Sequence, residues 1–304
     1  MIENKTGTDS EETLDTHAGT VTLAGAPNSG KSTLLNKIIG QRLSIATHKP
    51  QTTRNRILAV HNHGNSQMIF LDTPGIHGER GLIHRRMLAA ARSSMEEADV
   101  LCWLVAADRG LRRTDKRELS ALSEHPRVIV LLNKMDLVRR QDLLPYMKQV
   151  GELAPNAEVL PLSARKGENV ETLLELLAGY LPPGPWLYGK DVLTDMSERF
   201  FVAELVREQL FRQLEQELPY RVAVSVESWE RRGRTLHISV CIFTDSKSTR
   251  PMIIGHGGER LKSIGSAARE KIERLVESRV HLEIFVKVRA NWPSDPHFLA
   301  EQGL

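Results

Sequence analysis

The chain has 304 residues, of which 26% are charged and 40% are hydrophobic, and a formal net charge of +3. This length accommodates one large or two ordinary domains, and the composition is that of a globular protein with enough apolar residues to build a core. The net charge is too small to identify a partner, and no apolar run approaches the roughly 18–20 residues that a membrane span requires.

Two features of the chain favour a cytoplasmic protein. Residues 1–17 are polar and acidic and lack the basic start and apolar centre of a secretory signal, so we expect a disordered leader. The only cysteines, Cys102 and Cys241, lie far apart in strand-like patterns. Two buried free thiols are therefore favoured over a disulfide or a metal site.

Between residues 18 and 181, short apolar runs alternate with helical patterns. Such runs are typical of strands buried on both faces of a mostly parallel sheet that helices cover. Two apolar segments, 57–60 and 68–71, flank a polar stretch and fit a hairpin at one edge. The pattern predicts a three-layer α/β domain with further strands at 21–24, 100–105, 128–132 and 159–162 and helices at 85–98, 116–123, 143–153 and 170–180.

A different pattern follows the sequence Leu-Pro-Pro-Gly-Pro at 181–185. This sequence cannot continue a helix and predicts a linker at 182–198. An amphipathic helix is expected at 199–218, followed by two alternating strands around a turn at Glu230–Gly233. A glycine-rich loop between two helices and a last alternating strand complete the order α-β-β-α-α-β. We therefore predict a compact α+β domain at 199–304.

Immediately after the first predicted strand, residues 25–32 have the pattern GxxxxGKS and lead into a helix. In this context the glycines let backbone N–H groups turn inward around phosphate oxygens at a helix N-terminus. Lys31 is expected to reach the β- and γ-phosphates, and Ser32 to ligate Mg²⁺. The loop residues expected at the nucleotide are Gly25, Asn28, Ser29, Gly30, Lys31, Ser32 and Thr33.

Two further polar motifs follow predicted strands. In the first, the Asp72 carboxylate can hold Mg²⁺ through water and Gly75 can bond the γ-phosphate. The second contains Asn133, Lys134 and Asp136, and its Asp136 carboxylate can accept hydrogen bonds from guanine N1–H and the 2-amino group. Adenine lacks both donors and is therefore rejected. Because open α/β sheets bind ligands at the carboxyl ends of their strands, the sequence predicts a site for GTP or GDP with Mg²⁺.

The motifs GAPNSGKS, DTPG, NKMD and SAR resemble those of the translational GTPases and their relatives, which have a Ras-like P-loop domain. The SAR motif resembles the loop whose backbone contacts guanine O6, so Ser163 and Ala164 are added to the site. Residues 49–54, KPQTTR, resemble the first switch of the Era-like group. The resemblance implies that Thr53 ligates Mg²⁺ and contacts the γ-phosphate, with Thr52 as the alternative. The expected catalytic residues are then Lys31, Thr53, Gly75 and Asn28, and the metal site is Ser32, Thr53 and, through water, Asp72.

Three residues bear on the rate of hydrolysis. Ile76 stands where Ras-like proteins carry the Gln that orients the attacking water, so intrinsic hydrolysis should be slow. Asn28 matches an asparagine that helps to hold K⁺ in related GTPases. A bound K⁺ is therefore a hypothesis, and an asparagine that only braces the loop is the alternative. His77 is a mobile switch residue in our interpretation rather than a catalytic base.

The loop Gly255-His256-Gly257-Gly258 lies between two predicted helices. In KH domains a GxxG loop at this position clamps the backbone of about four nucleotides. The strand order suits the type II KH arrangement, and residues 199–289 carry 17 Lys and Arg against 12 Asp and Glu. The residues expected to contact RNA are Gly255, His256, Gly257, Gly258, Arg260, Lys262, Lys247 and Arg250.

A P-loop GTPase domain followed by a KH domain is the architecture of the Era-like family. The segments 191–195, 198–200, 203–208, 217–220 and 291–292 are also similar to that family. The resemblance implies a monomer that grips the single-stranded 3′ end of 16S rRNA in its GTP form and acts in maturation of the 30S ribosomal subunit. Some relatives associate weakly with the inner membrane. The polar leader and His256, where a Lys is often found, are departures.

Three other function classes are alternatives to this one. In a GTP-gated protein-interaction switch the second domain would bind a protein, and an apolar, acidic-rimmed groove would favour it over RNA binding. A tRNA-modification GTPase would need an additional helical domain and a C-terminal cysteine, which the sequence lacks. A tandem-GTPase ribosome factor is excluded by the single P-loop.

Overall fold

A computed structural model of the protein describes residues 15–45, 47, 49, 52–76, 81–122 and 125–304. The first part of this chain is built on a six-stranded sheet of order β2-β3-β1-β4-β5-β6. The hairpin strand β2 is antiparallel to β3, and all other pairs are parallel. The strands are β1 (His17–Gly25), β2 (Ile57–His63), β3 (Ser66–Asp72), β4 (Val100–Ala106), β5 (Val128–Asn133) and β6 (Glu158–Leu162).

Helices cover both faces of this sheet, which confirms the predicted three layers. One face packs against the helices that carry Leu34 and Leu173, and the other against those that carry Met95, Leu119 and Val150. All five side chains are buried, so the sheet is enclosed on both sides. In chain order the helices are α1 (Lys31–Ile39), α2 (Leu82–Glu96), α3 (Arg113–Leu122), α4 (Arg140–Leu153) and α5 (Val170–Tyr180).

The expected leader, 1–17, runs one residue too far, because β1 begins at His17. Two contacts extend the strand: the His17 N–H donates to the Asn65 carbonyl at 3.1 Å, and Thr16 Oγ1 donates to the Gly184 carbonyl at 2.9 Å. Residues 1–14 lie outside the described part of the chain.

The second part of the chain has the predicted order α-β-β-α-α-β. Strand β8 lies centrally, antiparallel to β7 and parallel to β9. The core of this second part includes Val206 and Leu210 from one helix and Ile264 and Ile272 from another. The elements are α6 (Glu198–Gln213), β7 (Val222–Arg232), β8 (Thr235–Thr244), α7 (Thr249–Ile254), α8 (Glu259–Leu275), β9 (Arg279–Val288) and α9 (Pro296–Glu301).

Three boundaries in this part differ from expectation. The helix expected at 199–218 ends at Gln213, because the chain turns extended at Leu214 and buries that side chain in the core. The hairpin turn is shorter than Glu230–Gly233, since β7 continues to Arg232 and β8 begins at Thr235. Helix α9 was not predicted. It is six residues long, and the Asp295 carboxylate caps it by accepting from two backbone N–H groups.

The segment expected as a linker, 182–198, lies along the edge strand β2. The Leu193 carbonyl accepts from the Val60 N–H at 2.8 Å, and Thr194 Oγ1 donates to the Leu58 carbonyl at 2.6 Å. An uncovered edge strand invites pairing with other chains, so this segment protects the edge while it connects the two parts.

The two parts pack against each other. At the start of α6, Phe201 is buried in the core of the first part, whereas Val206 is buried in that of the second. A further apolar cluster joins Met87 of α2 to Trp292 and Phe298. Helix α6 therefore belongs to the interface, which brings the second part close to the carboxyl ends of the first sheet.

Candidate functional site

The loop between β1 and α1 is held in backbone conformations that favour glycine. Gly25 has φ +138° and Gly30 has φ +104°, and a Cβ on Gly30 would lie 2.1 Å from Nδ2 of Asn133. Gly30 is the N-cap of α1, and no side chain of the described residues caps that helix end. The first N–H groups of α1 thus remain available for an anion, as the sequence predicts.

Lys31 is buried at the base of this loop. Its Nζ donates to the carbonyl oxygens of Gly25 at 3.1 Å and Ala26 at 3.2 Å. Burial lowers the pKa of Lys31 to about 8, whereas the charges of Asp72 and Asp115 act in the opposite direction. The amine is therefore mostly protonated at neutral pH, and a phosphate would give it the counter-charge that the loop lacks.

The hydroxyl groups predicted to hold a metal meet at a buried carboxylate. Ser32 Oγ donates to Oδ2 of Asp72 at 2.7 Å and lies 2.9 Å from Oγ1 of Thr53. Ser44, which the sequence analysis missed, also donates to Asp72 Oδ2 at 2.7 Å. The structure thus brings together all three predicted metal-site residues, which are far apart in sequence. Nothing in the sequence distinguished Ser44 from other small polar loop residues.

This donor set fits Mg²⁺. Burial raises the pKa of Asp72, although Lys31 and the two serine hydrogen bonds oppose that rise. Asp72 Oδ1 is buried and accepts no hydrogen bond from any residue in the described ranges. Hard oxygen ligands, one of them an anionic oxygen without a partner, are what Mg²⁺ binds, with waters completing its octahedron.

The two threonines of the first switch have different contacts. Thr53 Oγ1 contacts Ser32, whereas Thr52 Oγ1 donates to the Lys49 carbonyl at 2.7 Å and lies 3.0 Å from Thr47 Oγ1. The geometry therefore favours Thr53 over the neighbouring alternative.

Gly75 and Ile76, here called the second switch, lie against the P-loop (residues 25–32). A Cβ on Gly75 would lie 2.8 Å from Pro27, so the chain passes too close for a side chain. The Ile76 N–H donates to the Gly25 carbonyl at 3.1 Å, and its side chain is buried in the core between β4 and α2. The Ile76 side chain therefore packs in the core. His77 lies outside the described residues.

Asn133, Lys134, Asp136 and Ala164, which are predicted to contact the base, line a cavity of about 570 Å³ at the carboxyl ends of β5 and β6. Asn133 Oδ1 accepts from the Ala164 N–H at 3.0 Å, and its Nδ2 donates to the Ser29 carbonyl at 2.7 Å. Ser163 Oγ donates to Asp136 Oδ1 at 2.7 Å. These bonds connect three separate loops and fix Asp136 at the cavity wall.

Two further groups at this cavity were not predicted. Asp108 lines the cavity and forms an ion pair at 3.3 Å with Lys134, a predicted residue that is left-handed at φ +67°. Arg212 of α6 also lines the cavity and pairs with the buried Glu208 at 2.7 Å. A contribution from a helix so far beyond the P-loop in the chain carries no local sequence signal.

The glycine-rich loop of the second part lies between α7 and α8 as predicted. Gly257 and Gly258 have φ +56° and +83°, and a Cβ on either would meet no atom within 4 Å. The loop is therefore open to an approaching backbone. His256, Arg260 and Lys262 are exposed in or directly after the loop, and Arg260 also donates to the Met252 carbonyl at 2.6 Å. The other predicted basic residues, Lys247 and Arg250, are exposed at the start of α7.

Known families match both parts. Residues 20–134 match the model described as 50S ribosome-binding GTPase, and residues 217–293 match the KH domain model. The chain is 43% identical over 296 residues to GTPase Era of Nitratidesulfovibrio vulgaris, covering 94% of this chain and 96% of that protein. Against GTPase Era of Geotalea daltonii the identity is 44% over 289 residues, with 94% and 97% covered.

The chain belongs to the Era family of GTPases. A crystal structure of an Aquifex aeolicus Era variant bound to GDP·AlF₄⁻ superposes with a TM-score of 0.91 at 35% identity, covering 94% of this chain and 99% of that one. A structure of Era with MgGDPNP and nucleotides 1506–1542 of 16S ribosomal RNA gives 0.92 at 36% identity, covering 95% and 99%.

Family membership confirms the predicted GTPase activity, the P-loop and KH fold, and GTP or GDP with Mg²⁺ as the nucleotide and its metal. Across the part of the chain that the structure describes, helices that combine the length and the apolarity needed to span a bilayer are absent.

Proposed function

We propose that the protein is a GTP-driven switch that binds the single-stranded 3′ end of 16S rRNA through its KH domain and acts in assembly of the 30S subunit. The observation that carries this proposal is that one chain contains both the hydrogen-bonded side chains of Ser32, Thr53 and Asp72 and the exposed loop at Gly257, in two parts that share helix α6. We assign residues 18–181 to the GTPase domain, 182–198 to the linker and 199–304 to the KH domain.

The nucleotide contacts follow from the chemistry of the site. The first N–H groups of α1 and the Lys31 amine bind the phosphates, and the Asp136 carboxylate accepts from guanine N1–H and the 2-amino group. The bond from Ser163 orients the Asp136 carboxylate, and the bond to Asn133 orients the backbone at Ala164. Discrimination against adenine arises because an unpaired carboxylate in the cavity would lose its hydrogen bonds to water without gaining partners.

The metal would be held by Ser32 and Thr53 directly and by Asp72 through water. When bound, Mg²⁺ neutralises charge on the phosphate oxygens and polarises the transferred group. Thr53 and the Gly75 N–H orient the γ-phosphate. Ile76 contributes no polar group to the attacking water, so hydrolysis by the protein alone is slow and depends on help from outside the chain.

A monovalent cation is the proposed helper at the phosphates. Asn28 lines the cleft formed by Lys31, Ser32 and Thr53, and its backbone is left-handed with φ +64°. Single-turnover hydrolysis in KCl and in NaCl at equal ionic strength tests this proposal. Faster hydrolysis in K⁺ supports it, and identical rates in the two salts would remove it.

RNA binding is proposed at the GxxG loop. A Cβ on Gly257 or Gly258 would meet no atom within 4 Å, so this part of the loop is open, and the exposed basic residues Arg260 and Lys262 follow directly in the chain. In a KH domain this combination clamps a nucleic-acid backbone, with helix N-termini and cations neutralising the phosphates. A protein partner would instead require an apolar groove rimmed by acidic residues, which does not match this charge.

Gly257→Asp tests this RNA site, with Gly233→Asp as a matched control. Both glycines have positive φ near +60° and open space where a Cβ would stand, and both lie in the KH domain. We expect Gly257→Asp to weaken binding of a 16S 3′-end oligonucleotide at least tenfold in fluorescence anisotropy, and Gly233→Asp to leave it within roughly twofold. Equal losses would mean that the loop is not the RNA site, and capture of a protein with no RNA binding would favour the protein-interaction alternative.

We also propose a monomeric, cytoplasmic protein with weak peripheral association with the inner membrane. The support for both properties is similarity to the Era-like family. Co-sedimentation with anionic lipid vesicles at physiological salt, and light scattering of the purified chain, test the two properties separately.

A further inference from the structure

The first switch of this GTPase is held on both sides by the KH domain and the tail that follows it. Residues 49 and 52–55, here called the switch segment, contain Thr53, whose Oγ1 lies 2.9 Å from Ser32 Oγ. The two neighbours of Thr53 contact the second domain rather than the nucleotide site. The side chain that would reach the metal therefore stands between two anchor points on another domain.

The first anchor lies before Thr53. Arg207 of α6 donates through Nη2 to the Thr52 carbonyl, and its guanidinium is buried, with the residue only 4% exposed. Two bonds to Glu204 on the same helix fix the orientation of this group, one of them from Nε at 2.6 Å. The ring of Phe211 lies 5.3 Å from the guanidinium carbon. Arg207 is thus preorganised on the KH helix before it meets the switch segment.

The second anchor lies after Thr53. The buried guanidinium of Arg54 donates to the Val222 carbonyl at 2.7 Å and to the Tyr220 carbonyl at 3.0 Å, and it stacks 5.5 Å from the Trp292 ring centroid. One residue further, Asn55 Nδ2 donates to the Gln302 carbonyl at 2.9 Å. This side of the switch segment therefore rests on the start of β7 and on the C-terminal tail.

A third contact closes the segment at its entry. Lys49 Nζ donates to the Phe211 carbonyl at 2.6 Å and to the Leu214 carbonyl. Both carbonyls lie at the C-terminal end of α6, where helix carbonyls lack intrahelical donors and the macrodipole favours a cation. The Lys49 amine thus provides the hydrogen-bond donor that these carbonyls lack, and the carbonyls provide its acceptors.

We propose that Arg207 is a positioning residue for GTP: the KH helix α6, through the Thr52 carbonyl, holds Thr53 at the metal site. Consecutive Cα atoms are a fixed distance of about 3.8 Å apart, so displacement of the Thr52 carbonyl moves Thr53. Loss of the anchor lowers affinity for the GTP form far more than affinity for GDP, because only GTP offers Thr53 a γ-phosphate oxygen in addition to the metal. The inference rests on the proposed role of Thr53.

The test compares Arg207→Met with Arg199→Met in the full-length protein. Arg199 lies on the same helix, is exposed, and stacks 6.0 Å from Trp229 within the KH domain. Affinities for GDPNP and for GDP are measured by calorimetry with Mg²⁺ present. We expect Arg207→Met to lower the affinity for GDPNP about tenfold, which corresponds to the free energy of one charge-assisted hydrogen bond, and to change the affinity for GDP by no more than roughly twofold. Arg199→Met should alter neither affinity, and equal loss of GDPNP and GDP in Arg207→Met, or no loss, would overturn the proposal.

Two further variants separate positioning from damage to the fold. Thr53→Ala should weaken GDPNP selectively, and adding Arg207→Met to it should cause no additional loss, because the contact that Arg207 positions is already absent. Additive losses would contradict the proposal. The double variant Glu204→Gln with Arg207→Met leaves no half-buried carboxylate without its cation, and its nucleotide affinities should match those of Arg207→Met alone. If Thr53→Ala has no effect, the assigned role of Thr53 fails, whereas an effect in Thr53→Ala without one in Arg207→Met defeats only the inference about Arg207.

Discussion

Replacing Asp136 with asparagine should change the base that the protein binds. In the structure Asp136 Oδ1 accepts one hydrogen bond, from Ser163 Oγ at 2.7 Å. A carboxylate has about four acceptor sites, so capacity remains for both guanine donors. Asparagine keeps one acceptor oxygen and presents an NH₂ group, which faces the guanine 2-amino group as donor against donor. Xanthine carries a carbonyl at that position and pairs with the new donor.

The magnitude follows from the bonds that are lost. Hydrogen bonds to a charged group contribute about 1.5–3 kcal/mol each, so losing the bond to the 2-amino group and weakening the bond to N1–H costs about 3–4 kcal/mol, or roughly 10²–10³-fold in GDP affinity. Xanthosine diphosphate should gain in the opposite direction, since its carbonyl no longer faces a carboxylate. Thermal unfolding should change little, because the site is at a cavity wall.

The assay is competition of GDP and xanthosine diphosphate against a fluorescent GDP analogue on Asp136→Asn and wild type. Ser163→Ala is the control, since it removes the bond that orients Asp136 but leaves the carboxylate. We expect Ser163→Ala to weaken GDP modestly without altering the preference between bases. If Asp136→Asn keeps the wild-type preference for GDP over xanthosine diphosphate, or binds both nucleotides equally more weakly, this carboxylate does not recognise guanine.

Three other predictions address the P-loop and the second switch. Gly30→Ala should destabilise the protein by more than about 2 kcal/mol and abolish nucleotide binding, because the new Cβ would lie 2.1 Å from Asn133 Nδ2. Gly40 also has positive φ but has open space where a Cβ would stand, so Gly40→Ala should lower the free energy of urea unfolding by only about 1 kcal/mol. The pKa of Lys31 is lowered to about 8, so the amine is protonated below that pH and must take up a proton to bind phosphate above it. GDP affinity should therefore fall up to about tenfold per pH unit above pH 8, whereas guanosine affinity should not change. A GDP affinity that is independent of pH would contradict this. Ile76→Gln should lower the free energy of unfolding by about 1–3 kcal/mol and should not accelerate GTP hydrolysis, since the side chain at position 76 is buried in an apolar core. Faster single-turnover hydrolysis would mean that this side chain does reach the attacking water.

The sequence was sufficient for the parts of the fold that local patterns control. Short apolar runs predicted the buried strands, and GxxxxGKS predicted the phosphate loop, because both depend on neighbouring residues. The ends of elements were less predictable. Helix α6 stops at Gln213 because Leu214 is buried by the chain that returns across it, and β1 begins at His17 because Asn65 and Gly184 are near enough to bond.

The parts of the site that the sequence did not predict depend on the packing of the two domains. The Arg207 contact with Thr52 joins residues 155 positions apart, and Arg212 reaches the base cavity only because α6 packs across the nucleotide domain. Ser44 meets Asp72 through a loop whose sequence has no distinguishing pattern. The segment 203–208 is similar to the Era-like family, but its contacts depend on how the two domains pack in three dimensions.

The coupling of nucleotide to RNA is tested most directly by one titration. A fluorescently labelled oligonucleotide of the 16S rRNA 3′ end is titrated with the full-length protein saturated with Mg²⁺ and either GDPNP or GDP, at fixed salt. The account predicts tighter binding in the GDPNP form, because the γ-phosphate engages Thr53 on a switch segment that is bonded to the KH domain through Arg54 and Arg207. Equal affinity in the two nucleotide states would contradict a GTP-driven switch on RNA.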